Sequence, residues 1–288
     1  MRLLAVAICI GFAPPVRADG LSAGPTDKLA LDLPKDGVIL GLGFIASTVP
    51  LIFSSELAPK SCRWCDGPAG SPVNAVDNWF HDRLVGAVFS RSTSNTLSSV
   101  TAFGLMPAVA LTATFLATGP YATPGAGARA IVIVGESVAV ATALTQAIKF
   151  TAGRQRPYAH FQHFSMPGEG TAYDPTPDAN LSFPSGHTSL AAALGTSAAM
   201  VATLEQSSAA PWLWGAAGAL TVTTGALRMM SESHYFTDVL GGAVLGAGCG
   251  VLIPLLHRRG SVLSGSAAAA PFISAGGGRA SFSLAGAF

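Results

Sequence analysis

Five long apolar stretches, at about 99–118, 128–149, 188–204, 212–230 and 237–256, constrain this chain more than any other feature. Each is long enough, as a helix, to cross about 30 Å of hydrocarbon. Each is also rich in Gly, Ala, Ser and Thr, the residues that let helices approach closely in lipid. Charged residues make up 11% of the chain and hydrophobic residues 50%, whereas a soluble domain carries roughly 25% charged residues. A large soluble core is therefore excluded. The expected fold class is all-α, a polytopic membrane helix bundle of five to six transmembrane helices. A net charge of +1 with no basic run gives no reason to expect a nucleic-acid partner.

The remaining chain divides around these stretches. Residues 1–18 read as a secretory signal peptide: Arg2, a short apolar run over 3–11, then Val16 and Ala18 at the −3 and −1 positions of a cut. A polar lead-in covers 19–36. The membrane domain spans 37–257, opening with a short apolar run over 37–53 that contains Pro50. Within the polar stretch 54–95, the apolar positions of 76–89 recur at helical spacing against Asp77, His81 and Arg83. That pattern predicts a surface helix in the first long loop. The tail 258–288 is rich in Gly, Ala and Ser, and a flexible or docked segment is expected despite a weak period-two pattern near 280–284. Cys62 and Cys65 lack both a second pair of zinc ligands and a thioredoxin-like setting, so a structural disulfide is expected if their loop faces an oxidising compartment. Cys249 reads as an inert buried thiol.

Three polar islands interrupt the apolar pattern, at 149–157, 184–187 and 228–238. The first follows the second strong stretch, the second precedes the third, and the last joins the fourth to the fifth. Alternating helices therefore place all three on one side of the membrane. In the first, Gly153 ends a helix and Pro157 keeps Arg156 extended, which delivers Lys149 and Arg156 from one helix end. In the second, Pro184 and Gly186 bracket a turn that offers backbone N–H groups, Ser185 adds a hydroxyl, and His187 falls in the first turn of a helix. In the third, His234 and Asp238 are four apart and are expected to share a helix face, the carboxylate fixing the imidazole tautomer. Cations, N–H donors, two histidines and a carboxylate suit a tetrahedral oxyanion and its transition state.

Other polar residues receive plainer readings. Arg154 is expected to be solvated or at the headgroups, His160 and His163 to be solvated loop histidines, and His81 with Asp77 to form an ordinary polar face. His257 joins Arg258 and Arg259 in an interfacial cluster, Tyr235 fits an interfacial belt, and Gln146 supports Lys149. Glu136 lies inside a spanning segment about 20 Å of helix from Lys149. It is read either as functional or as a hydrogen-bonded helix-packing group near the far interface.

In order and spacing, the three islands resemble the type 2 phosphatidic acid phosphatase (PAP2) family, whose pattern is K-x6-R-P, P-S-G-H and S-R-x5-H-x3-D. The resemblance covers about 98–256, and Leu227 departs from it where the third motif usually has Ser. It implies a metal-independent phosphatase without cofactor that acts on a membrane lipid phosphate or diphosphate. His234 would be the nucleophile, oriented by Asp238, and His187 the general acid and base. Lys149, Arg156, Ser185, Gly186 and Arg228 would hold the phosphoryl oxygens. A vanadium-haloperoxidase-like enzyme and a non-catalytic phospholipid binder with a relic pocket are the competing classes. The expected location is a bacterial inner membrane, with the site facing the periplasm.

Overall fold

A computed structural model describes residues 28–118, 125–163, 170 and 176–259, together with the backbone of 272–276 and 279–283. The signal-peptide reading of 1–18 and the first part of the lead-in lie outside the described residues. The body is all-helical. Helices α1 (Leu33–Ile52), α4 (Arg91–Val100), α5 (Met106–Ala117), α6 (Ala126–Ala152), α8 (Gly186–Leu204), α9 (Ala210–Met230) and α10 (Phe236–Leu256) form the bundle. Short α2 (Ser54–Leu57), α3 (Ala75–Leu84) and α7 (Pro157–His160) lie in the connecting loops. A π-helical turn, Thr101–Leu105, joins α4 to α5 into one continuous rod. Among the described residues, α1, the α4–α5 rod, α6 and α10 are long and apolar enough to cross a membrane.

Local chemistry sets the ends. Helix α1 starts at Leu33, four residues before its apolar run, because Asp32 caps it and Pro34 suits a first turn. Asn74 caps α3 through the Asp77 N–H at 3.0 Å. Helix α6 stops at Gly153, whose φ of +57° is a left-handed C-cap conformation. The two strands β1 (Phe272–Gly276) and β2 (Arg279–Ser283) pair as an antiparallel hairpin. The hairpin lies where the weak period-two pattern falls within the Gly/Ala/Ser-rich tail.

Small residues set the packing. Gly242, Gly246 and Gly250 form a four-residue-spaced seam on α10. A Cβ on the first two would overlap the Ser185 and Ser189 carbonyls, and one on Gly250 would overlap Thr196 and Ala193. Backbone therefore lies against backbone where α10 meets α8, as in small-xxx-small packing. Gly195 of α8 meets Ala217 of α9, and Gly43 of α1 meets Ala139 of α6. Met106, Ala110, Ile133, Val134, Ala191, Leu194 and Val201 fill the centre between α5, α6 and α8. Helix α8 is enclosed by neighbours, which explains why Ala, Ser and Thr suffice on it, while α1 exposes Leu42, Phe44, Ile45, Leu51 and Ile52.

Candidate active site

The antiparallel run of α6, α8, α9 and α10 gathers the three islands at one end of the bundle. Lys149, Arg156, Gly186, His187, Arg228 and His234 line a single cavity of about 780 Å³. Each cation is held by a partner and keeps donors to spare. Lys149 Nζ donates to the Leu181 carbonyl at 2.6 Å. Arg156 donates to Asp178 Oδ1 at 2.8 Å, to the Asp178 carbonyl at 2.9 Å and to the Ser233 carbonyl at 3.3 Å. Arg228 Nη1 donates to Asn95 Oδ1 at 2.5 Å and to Ser98 Oγ at 3.2 Å. Arg156 is extended, with ψ of 152°, immediately before Pro157, as the X-Pro constraint requires.

His187 lies in the first turn of α8, with Nε2 3.3 Å from Ser99 Oγ and its ring edge-on to Phe103 at 4.8 Å. Both contacts come from the α4–α5 rod, at and just before the π-turn. Ser185 departs from its expected place. Its side chain is fully buried, with Oγ 2.9 Å from Thr188 Oγ1, and it does not line the cavity. Its N–H donates to the Asp238 carbonyl at 2.9 Å, so its visible part is to lock the turn onto α10. Gly186 lines the cavity, at the first position of α8.

His234 precedes α10 rather than standing on it, so the shared helix face with Asp238 does not exist. The loop itself brings His234 Nδ1 to 3.7 Å from Asp238 Oδ2, beyond a hydrogen bond. The Asp238 carboxylate is already engaged. Oδ2 accepts from Ser182 Oγ at 2.5 Å and from the Tyr235 N–H at 2.9 Å, and Oδ1 accepts from Arg154 Nη1 at 2.6 Å. Burial lowers the His234 pKa well below the usual imidazole value, and Arg156, Lys149 and Arg228 push the same way. The ring is thus neutral at pH 7, with its second nitrogen left to the cavity.

Arg154 corrects the sequence reading most. It is fully buried rather than solvated, and it pairs with Asp66 at 3.0 Å, Asp77 at 2.8 Å and Asp238 at 2.6 Å. Its guanidinium lies between the Trp64 and Tyr235 rings, 4.4 and 4.2 Å from their centroids. Burial alone would lower its pKa, but Asp238, Asp66 and Asp77 hold it above the ordinary arginine value. Tyr235 is consequently buried, not interfacial, and Asp77 is a buried ion-pair partner rather than part of a polar face. Cys62 and Cys65 are joined by a disulfide around Trp64, and the Arg63 N–H donates to the Gly153 carbonyl at 2.9 Å.

A second buried carboxylate, Glu232, stands two residues before His234. His81 Nε2 and His163 Nδ1 each lie 2.8 Å from its Oε1, and Arg91 Nε lies 3.0 Å from Oε2. His81 is therefore a specific partner, not a generic polar residue. His160 is also buried, with Nε2 2.8 Å from the Ser71 carbonyl, where a solvated histidine was expected. Gln146 lines the cavity, but its Oε1 has no hydrogen-bond partner and it does not hold Lys149. Sequence reasoning missed Ser182, Arg154, Asp66, Asn95, Ser99 and Asp178. Only Ser182, two residues before Pro184, had a positional hint.

The PAP2 superfamily model matches residues 130–260. All three islands fall within that segment, which is the part of the chain similar to the PAP2 superfamily. A crystal structure described as the first transmembrane PAP2 type phosphatidylglycerolphosphate phosphatase from Bacillus subtilis is similar at 18% identity and a TM-score of 0.44, over 76% of this chain and 94% of that one. No curated protein matches the chain.

Proposed function

We propose that the chain is a membrane phosphatase that hydrolyses a lipid phosphate monoester or diphosphate through a phosphohistidine. The observation that carries this reading is the cavity's composition along its length. At one end it presents Lys149, Arg156, Arg228, the Gly186 turn and both histidines; from there it runs along α1 and α6 past Leu40, Phe44, Leu51, Val138 and Ala139. A charged mouth continuous with an apolar slot suits a phosphate carried on a hydrocarbon chain.

His234 attacks phosphorus through its cavity-facing nitrogen as the phosphorus–oxygen bond to the leaving group breaks. His187 gives that oxygen its proton, with the substrate's negative charge favouring the protonated ring. Lys149, Arg156 and Arg228 stabilise the charge on the equatorial oxygens. His187 then takes a proton from water, the resulting oxygen attacks phosphorus, and the bond to His234 breaks to release phosphate. Asp238 acts through the loop that places His234. Ser185 acts through the turn that presents Gly186. The disulfide at Cys62 and Cys65, on the same side as the site, supports a site on the periplasmic face of an inner membrane.

The test is phosphate release by detergent-purified protein against a lipid panel, with and without EDTA, alongside His234→Ala. Release that survives EDTA and falls about a thousandfold or more in the variant is expected. Full activity in a folded His234→Ala protein would refute the mechanism and favour a lipid binder.

A further inference from the structure

At the end of the bundle away from the phosphate cavity, three helices direct one ligand-type atom each toward a common point. Asp36 comes from the first turn of α1, Glu136 from α6, and His257 follows the last residue of α10. One ligand-type atom from each of Asp36, Glu136 and His257 lies within 4.8 Å of the others. Both carboxylates are buried, at 3% and 1% exposure. The interfacial cluster expected for His257 is thus an inward-facing one.

The hydrogen bonds around the cluster single it out. His257 Nδ1 lies 2.9 Å from the Ile253 carbonyl, which can only accept. Nδ1 therefore carries the proton, and in the neutral ring the lone pair is on Nε2. That nitrogen stands 3.0 Å from Glu136 Oε2 and 3.5 Å from Asp36 Oδ1. Glu136 Oε2 is nonetheless a buried atom with no hydrogen bond of proper geometry. Asp36 Oδ2 is already occupied, accepting the Asp32 N–H at 2.8 Å. Three lone-pair atoms converge, and the outer atoms of the histidine and the aspartate are anchored to backbone.

A metal-ligating histidine is held in this manner, its second nitrogen tied to a carbonyl. One imidazole and two carboxylate oxygens suit zinc or another first-row divalent ion. Two carboxylates buried side by side also call for a compensating cation. We propose that Asp36, Glu136 and His257 bind a divalent transition-metal ion, zinc foremost, which clasps α1 to α6 and α10. The site lies thirteen positions along α6 from Lys149, about 20 Å of helix. It therefore stands apart from the phosphate chemistry and does not depend on it. Its effect would be mechanical, because α1 supplies one wall of the cavity.

The experiment uses the full chain, purified without a polyhistidine tag or chelator. Elemental analysis should find about one zinc per chain. After stripping, Co²⁺ should give a visible absorption band that saturates near one equivalent, and Zn²⁺ should raise the unfolding temperature. Glu136→Gln and Asp36→Asn should each lose about tenfold or more in metal affinity while retaining the helical fold. His234→Ala should keep the metal, so failure of the phosphatase reading and failure of this one are separable. A wild-type chain with neither zinc nor a cobalt band would overturn the proposal, leaving a protonated imidazole between two carboxylates. Unchanged metal affinity in both folded variants would overturn it equally.

Discussion

The proposed attack needs a neutral His234, and its surroundings favour that form. Its pKa lies well below 6.5 in the folded chain through burial and the neighbouring cations, while the unfolded chain titrates near 6.5. Between these values the unfolded state binds the extra proton, so acidification below about pH 6.5 costs stability, and raising the pH back restores it. For activity, protonation of His234 in the free enzyme should set the acid limb of kcat/KM. That limb should fall well below pH 6.5, and a limb centred at or above 6.5 would count against a neutral buried nucleophile. Arg154 makes a different contribution. It touches no substrate-facing atom, yet it holds the Asp238 carboxylate that caps the helix behind His234. Removing one partner of such a buried pair costs about 3–5 kcal/mol. Arg154→Ala should therefore lower the unfolding temperature and reduce kcat more than it raises KM, whereas a solvated arginine would leave both unchanged.

Among elements, the α8–α10 contact depends on absence. Gly242, Gly246 and Gly250 leave room for the α8 backbone, and a side chain there must push the helices apart. Gly246→Val should destabilise the chain by about 1–3 kcal/mol or more, seen as a loss of thermal stability in detergent. The same change at Gly248, which meets nothing within 4 Å, should be nearly silent. Helix positions were legible because apolar length and Gly or Pro punctuation act locally: α3 and the five strong segments appear close to where periodicity put them. Motif residues were legible for the same reason, since fixed spacings mark them. Arg154 was not, because its meaning comes from Asp66 and Asp77, which only tertiary packing brings to it. His234 and Asp238 teach the converse point. Their spacing of four suggested a helix face, but α10 starts at Phe236, and a loop made the approach.

Across the whole molecule, the proposed chemistry and one wall of the proposed hydrocarbon slot come from different parts of the chain. The motif residues fall within 149–238, inside the segment that matches the family. Leu40, Phe44 and Leu51, which wall the apolar slot, belong to α1, outside that segment. Narrowing the slot with Leu40→Trp should lower kcat/KM for a long-chain lipid phosphate by about tenfold or more. Hydrolysis of a short, water-soluble phosphate ester should be unaffected, and an equal loss on both would place Leu40 in the chemistry instead.

Helix α1 rests on α6, where Gly43 meets Ala139. It is a separate wall set against the rest of the reaction vessel. A lineage carrying this arrangement can exchange one helix and acquire a new lipid without re-inventing hydrolysis. An engineer can do the same by grafting 37–52, which leaves Asp36 in place.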